Sequence, residues 1–245
     1  ERPAGYVFTH EANDSFVAVN RLLAAGESVY WLTEDYNVNG RNWPSGSHYV
    51  RAGSGTLSLL QRVAAETGLS FQAVSRAPEK DALELKPVRI ALWDQYGGSS
   101  DSGWARFVLE QFEFPYTVVY PRTLDAGNLR EKFDVLIFVA DSTFSTTEPR
   151  APRNVAPEYA DRAGGLTTAV TVPQLKSFLE KGGTVLAIGT AANLGVYAGL
   201  PIANAVAGLP NTRFYVPGSI LQGRIDRNNP ITYGLSDRVD FFFDR

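Results

Sequence analysis

The chain has 245 residues, 44% of them hydrophobic, so it is long enough for one large domain or two small ones with buried cores. Its net charge is −3, and it has no basic stripe or basic amphipathic helix, which argues against nucleic-acid and membrane-surface partners. The absence of cysteine excludes disulfides, a thiolate zinc site and a cysteine nucleophile, and no apolar run is long enough to span a bilayer.

Residues 1–86 are predicted to form a small α/β unit in the order β-α-β-β-α-β. Two segments with helical apolar spacing, each followed or closed by a glycine, are predicted as its helices: residues 15–25 and 55–68. The segment NVNGRNWPSG, residues 37–46, is predicted to be a turn-rich loop. Residues 76–87 are charged and contain two prolines, which is typical of a linker between units.

Residues 87–245 are predicted to form a larger α/β domain. Its predicted central strands are three continuous apolar runs, residues 88–93, 135–139 and 184–188. Helices are predicted over 102–112, with Trp104, Val108, Leu109 and Phe112 facing inward, and over 172–181. The alternation of strands and helices predicts a three-layer α/β/α sandwich with a mainly parallel sheet, in which ligands bind at the carboxyl ends of strands.

Two small-residue turns after predicted strands are the candidate sites. The first contains four candidate binding residues: Asp94, Tyr96, Ser99 and Ser100. Its glycines and the helix that follows can present backbone N–H groups to an anion. The spacing matches neither a dinucleotide-binding motif nor a P-loop, and Asp101 would repel a phosphate. A tight turn with a helix cap is therefore the favoured interpretation.

The second turn lies in the segment GTVLAIGTAANLG and contains Thr190 and Asn193 as candidate binding residues. Many α/β enzymes place a nucleophile at such a turn, but a hydroxyl needs a base within hydrogen-bond reach. The only histidines, His10 and His48, are far away in the sequence. We therefore expect no catalytic residue in this chain, and residual hydrolysis by Thr190 or by a serine of the first turn is an alternative.

No metal ligand is expected either. The stretch HEAND at residues 10–14 matches neither the H-x-x-E nor the H-E-x-x-H spacing of zinc peptidases. His48 has no carboxylate beside it in the sequence. Both histidines are therefore interpreted as incidental.

Five unusual strings follow one another along the chain: SFVAVNRLLAAGESVYWL, RIALWDQYGGSSDSGWARFVLEQFEFPYTVVYP, FDVLIFVAD, FLEKGGTVLAIGTA and FYVPGSILQGRIDRNNPITYG. In sequence and in order they resemble strings of large secreted zinc carboxypeptidases of the carboxypeptidase A-like family. Over most of its length the chain resembles the region that follows the peptidase domain in that family. That region is similar to class I glutamine amidotransferases in fold.

The resemblance implies a flavodoxin-like or glutamine-amidotransferase-like larger domain. It places the amidotransferase cysteine near Thr190, where this chain has none. It also implies that the zinc ligands belong to the upstream peptidase domain, so no cofactor is expected in this chain. Because the chain starts at Glu1 and contains no methionine, we expect it to be a piece of a longer polypeptide. The resemblance implies that this polypeptide is secreted or periplasmic.

The leading functional hypothesis is a non-catalytic accessory region of a secreted zinc carboxypeptidase. Its expected partners are the upstream peptidase domain and a peptide or cell-wall substrate, without nucleic acid and without a membrane span. A homodimer stays open. The main alternative is an autonomous module that binds a small ligand or carbohydrate near Asp94 and Tyr96.

Overall fold

The computed structural model describes residues 2–79, 82–139, 142–147, 155–227 and 229–243. Contacts within the chain divide it into two compact units. Unit 1 comprises Glu1–Pro87 with Gly208–Arg245, and unit 2 comprises Val88–Ala207. Residues 208–245, which the sequence analysis assigned to the larger domain, therefore cluster with the smaller unit. Within the described ranges, no helix is long and apolar enough to cross a bilayer.

The first part of unit 1 alternates short strands with two helices. In chain order its elements are β1 (Gly5–Phe8), α1 (Asp14–Ala24), β2 (Val29–Leu32), β3 (Tyr36–Val38), β4 (Arg41–Trp43), β5 (His48–Arg51), α2 (Thr56–Thr67), β6 (Gln72–Val74) and β7 (Ala82–Glu84). Five strands form an antiparallel sheet in the order β6-β1-β5-β2-β7. The four strands of the predicted β-α-β-β-α-β pattern thus lie in the spatial order 4-1-3-2, the ferredoxin-like arrangement of interleaved β-α-β crossovers.

Helices α1 and α2 cover one face of this sheet, and the β3–β4 hairpin covers the other. Neighbouring residues of a strand point to opposite faces. In β1, Phe8 belongs to a buried cluster with Leu22 of α1 and Leu60 of α2. The adjacent Val7 belongs to a second buried cluster with Trp43 of the hairpin. Unit 1 therefore buries both faces of its sheet.

The β3–β4 hairpin lies in the segment that the sequence analysis predicted to be a loop. Val38 pairs with Arg41 across the hairpin. The two residues between them, Asn39 and Gly40, have φ angles of 51° and 74°. Positive φ at both positions is what a two-residue type I′ turn requires, and Asn-Gly is its preferred sequence.

Strand β7 corrects the prediction that residues 76–87 are only a linker. Its residues pair with β2 at the edge of the sheet, with Trp31 opposite Leu83. An edge strand needs only one neighbour, so it does not need the long apolar pattern of a central strand.

Unit 2 is built around a parallel sheet. In chain order its elements are β8 (Ile90–Trp93), α3 (Ser100–Gln111), β9 (Tyr116–Val119), α4 (Pro121–Asp125), α5 (Leu129–Lys132), β10 (Val135–Phe138), β11 (Phe144–Ser145), β12 (Leu166–Thr167), α6 (Thr171–Glu180), β13 (Thr184–Ala187) and α7 (Leu194–Tyr197). Four strands pair in parallel in the order β13-β10-β8-β9, and β11 pairs separately with β12. The chain therefore belongs to the α/β class, and the prediction of this class is confirmed.

Strand β13 was predicted to be central, and this prediction is wrong. Within the described part of the chain it pairs only with β10. Leu186 in this strand is 49% exposed. A short apolar run indicates a strand in a parallel sheet, but it does not distinguish an edge strand from a central one.

Helix α3 turns only part of the predicted face to the sheet. Trp104 and Val108 are 68% and 50% exposed, against the prediction. Leu109 packs against the buried cluster of unit 2 as predicted, together with Ala105, and Ser102 is fully buried. Apolar residues occur on several sides of this helix, so its pattern alone did not determine the buried face.

After residue 207 the chain returns to unit 1 and ends in an antiparallel ribbon of β14 (Ser219–Arg224) and β15 (Arg238–Phe243). Between these strands, the ring of Tyr233 contacts the ring of Trp31 edge-on, with centroids 6.0 Å apart. The carbonyl oxygen of Gly234 lies 2.6 Å from Nε2 of His10. A Cβ at Gly234 would come within 2.7 Å of the His10 ring, so this contact requires a glycine.

Candidate functional site

The first predicted site lies on the connection between β8 and α3, at the carboxyl end of β8. β9 lies on one side of β8 and β10 on the other, so the chain reverses direction across the sheet between β8 and β10. Ligands of open parallel sheets bind at this point. Asp94 directly follows β8. Ser99 caps α3, because its Oγ accepts a hydrogen bond from the backbone N of Ser102 at 3.1 Å.

Asp94 is held in a buried ion pair. Its side chain is 4% exposed and accepts hydrogen bonds from the guanidinium of Arg106 and from the backbone N of Gln95, the latter at 2.9 Å. The backbone N–H of Asp94 donates to the carbonyl of Val119 in β9 at 3.0 Å, which fixes the carboxylate at the strand end. The carboxylate of Asp94 is therefore engaged by a guanidinium and by a backbone N–H group at the strand end.

Two buried hydroxyl groups lie at the same end of the sheet. Ser102 in the first turn of α3 is 0% exposed, and Ser142, shortly after β10, is 1% exposed. Neither Oγ has a hydrogen-bond partner among the described residues, and the same holds for Nε1 of Trp93. Burying an unpaired polar group costs about 1–3 kcal/mol, so native proteins usually supply a partner. Asp141, expected near these strand ends, lies outside the described residues.

Aromatic and cationic side chains also meet at this end of β8 and β9. Tyr96 is half-buried, and its ring centroid lies 6.3 Å from that of Tyr159. The guanidinium of Arg162 lies 4.9 Å from the ring of Tyr159 and 5.5 Å from the ring of Tyr120, which directly follows β9. These contacts bring the segment from residue 155 onward to the strand ends. The arrangement can hold a hydroxylated or anionic ligand.

The second predicted site is not brought together with the first. Thr190 and Asn193 lie in a 3₁₀ turn, Gly189–Asn193, after β13, and both are exposed. β10 lies between β13 and β8, so the two connections start about 10 Å apart. Ser100, the first residue of α3, is exposed on the other connection. Residues 88–207 contain no histidine, so Thr190 has no imidazole base within its own unit.

The two histidines lie close enough to interact in unit 1. His48 begins β5, is 5% exposed and stacks on Phe8, with ring centroids 5.0 Å apart. Burial lowers the pKa of His48 to about 4, and the charge of His10 contributes to the same shift. Within the described ranges, no group of three or more histidine, aspartate or glutamate side chains is placed to hold a metal ion. The absence of zinc stays a prediction.

The sequence analysis missed several residues of the first site, among them Ser102, Arg106, Ser142, Tyr159 and Arg162. Arg106 lies four residues after Ser102, and this spacing on a helix could have identified it, because such residues share one face. Ser142 and Arg162 lie in a stretch without a periodic pattern. Only the course of the chain brings them to the strand ends.

No protein-family model matches this chain, and no match is found among curated proteins or among solved structures. The function is therefore inferred from the sequence and from the geometry of the site.

Proposed function

We propose that this chain is a non-catalytic accessory region of a secreted zinc carboxypeptidase. In this proposal the upstream peptidase domain holds the zinc and hydrolyses the peptide. This chain supports that domain, controls access of substrate or binds substrate or cell wall. The resemblance over most of the chain supports the family, and the chemistry of the strand ends supports the absence of catalysis.

The observation that carries the non-catalytic part is the ion pair between Asp94 and Arg106. It engages the carboxylate that directly follows β8. Ser99 is engaged as the cap of α3. Thr190 is exposed in a unit without histidine, which leaves a hydroxyl without the base that nucleophilic catalysis needs.

The finer fold belongs to the same proposal. We propose that residues from 88 onward form a three-layer α/β/α domain of the flavodoxin-like or glutamine-amidotransferase-like kind. Read from β9, the parallel strands follow the order 2-1-3-4 of the first four strands of the flavodoxin-like sheet. An amidotransferase would need a cysteine near Thr190, and the chain has none.

Hydrolysis assays test the absence of catalysis. We expect the wild-type chain to show no turnover above background on ester, glutamine and peptide substrates. The variants Thr190→Ala and Ser99→Ala are measured alongside, with Thr117→Ala on β9 as the matched control. Turnover that is lost in Thr190→Ala or Ser99→Ala, but kept in Thr117→Ala, would contradict the proposal.

The family part has a separate test, which is the complete open reading frame. We expect an upstream H-x-x-E motif with a distant histidine, the ligand pattern of a zinc carboxypeptidase. A reading frame with no such motif upstream of Glu1 would contradict this part and leave the interpretation of the strand ends untouched.

The second candidate function is an autonomous module for a small ligand or carbohydrate. The rings of Tyr96 and Tyr159 and the guanidinium of Arg162, which meet at the strand ends, favour it, because they offer apolar faces and hydrogen-bond donors to such a ligand. Titration with N-acetylglucosamine, followed by amide chemical shifts, tests it. Saturable shifts confined to residues near Asp94 and Ser102 support this function, and unchanged spectra at millimolar sugar argue against it.

A further inference from the structure

We propose that unit 1 carries a second binding site, for a small aromatic carboxylate, in a cavity beside the β3–β4 hairpin. The cavity has a volume of about 270 Å³. It is lined by Phe8, Thr9, Arg41, Trp43 and the connection from α2 to β6, residues 68–72. The volume lies just below the range of about 300–1,000 Å³ that is typical of drug-sized ligands, so it suits a smaller molecule.

Aromatic rings supply the apolar part of this site. Phe8 is 1% exposed, and the half-buried ring of Phe71 contacts it edge-on with centroids 5.0 Å apart. Trp43 is 3% exposed and lines the same cavity. Aromatic rings favour edge-to-face and offset contacts with one another, so a flat aromatic ligand suits these walls better than a branched aliphatic one.

Arg41 supplies the charge. Its guanidinium lies 4.0 Å from the centroid of the Trp43 ring, and its side chain is otherwise exposed. No acidic side chain lines the cavity, and within the described ranges no carboxylate forms an ion pair with Arg41. A stacked guanidinium presents its N–H groups in a fixed fork, which matches the two oxygens of a carboxylate.

The hairpin that carries Arg41 is fixed in place. At its turn, Asn39 donates from Nδ2 to the carbonyl of Ala73 in β6 at 3.3 Å and accepts from Oγ of Ser75 at 2.6 Å. At its other end, Asp35 accepts hydrogen bonds from Asn42 and from the backbone N of Ser45 at 2.9 and 3.1 Å. A fixed hairpin lowers the entropy that a ligand loses by ordering Arg41.

The test is titration of the complete chain with benzoate, its neutral isostere benzamide, and acetate, followed by calorimetry. We expect benzoate to bind at least tenfold more tightly than benzamide, which lacks the charge that strengthens a hydrogen bond to a guanidinium, and at least tenfold more tightly than acetate, which lacks the ring. In Arg41→Gln the preference for benzoate over benzamide is expected to disappear. Arg122→Gln, at an exposed arginine of unit 2, is the matched control and is expected to bind benzoate like the wild type.

Three results would overturn the proposal. Equal binding of benzoate and benzamide, including no binding of either, would exclude the carboxylate. Equal binding of benzoate and acetate would exclude the aromatic part. Unchanged benzoate binding in Arg41→Gln would place the ligand elsewhere. Because Arg41 is exposed, this variant is expected to fold, which circular dichroism checks.

Discussion

Lowering the pH from about 7.5 to about 5 is expected to destabilise the fold through His48. This side chain is buried in unit 1, where its ring stacks on Phe8 and its Nδ1 has no hydrogen-bond partner within the described residues. Burial disfavours the charged imidazolium, so the pKa of His48 is lowered to about 4, with a smaller contribution from the charge of His10.

The sign and size of the effect follow from the two pKa values. Well above pH 6.5, His48 is neutral in the folded and unfolded states and contributes no pH dependence. As the pH falls through 6.5, the unfolded chain binds a proton that the folded chain does not, so stability is lost until the folded pKa of about 4 is reached. At about 1.4 kcal/mol per pKa unit, the loss is about 2 kcal/mol at pH 5 and about 3 kcal/mol below pH 4.

Urea unfolding of the wild type and of His48→Phe at both pH values measures this contribution. The free energy of unfolding is expected to fall by about 2 kcal/mol more in the wild type than in the variant, because phenylalanine keeps the stacking on Phe8 without titrating. His10→Gln is the matched control. It should retain most of the pH dependence, since burial is the larger cause of the shift in the pKa of His48. Equal pH dependence in the wild type and His48→Phe would refute the reasoning.

Two further predictions concern unit 2. Gly183→Ala should lower the midpoint of chemical denaturation, because the new Cβ would lie 2.4 Å from the buried ring of Phe178. Gly103→Ala in α3 places its Cβ in open space and should stabilise the fold by up to about 1 kcal/mol. Equal midpoints for the two variants would contradict the packing argument. Hydrogen bonds from Arg89, and to a smaller extent from Arg130, hold the pKa of Asp134 well below its usual range, so this carboxylate stabilises the fold above the unfolded pKa of about 3.9, and that stability is lost as the pH falls below it. Asp134→Asn should flatten the acid end of the stability profile, and an unchanged profile below pH 4 would count against it.

Local patterns predicted much of the secondary structure, because helix ends and apolar spacing depend on residues that are close together in the sequence. The helix predicted over 15–25 is Asp14–Ala24, and the one predicted over 172–181 is Thr171–Glu180. The β3–β4 hairpin was also within reach, since Asn39-Gly40 is a strong signal for a two-residue turn. The prediction overlooked this pair.

The sequence did not predict which strands pair with each other in the sheets. Nothing local marks β13 as an edge strand, because its apolar run would equally suit a central position. The same limit applies to the candidate site. The turn holding Asp94 could be found as a strand end, but its distance from Thr190 depends on β10 lying between the two strands. The partner of Asp94 depended on which face of α3 is buried.

The division of unit 1 along the chain has a consequence for its synthesis. The ribosome completes Glu1–Pro87 first and must then add all of Val88–Ala207 before Gly208–Arg245 exists. At about 5–20 residues per second, this is a delay of roughly 6–24 s. During that interval the segment that carries Tyr233 and Gly234 has not been synthesised, so Trp31 and His10 lack these two contacts. Unit 2 can already fold in the same interval. Of the two units, unit 1 is started before unit 2 and completed after it.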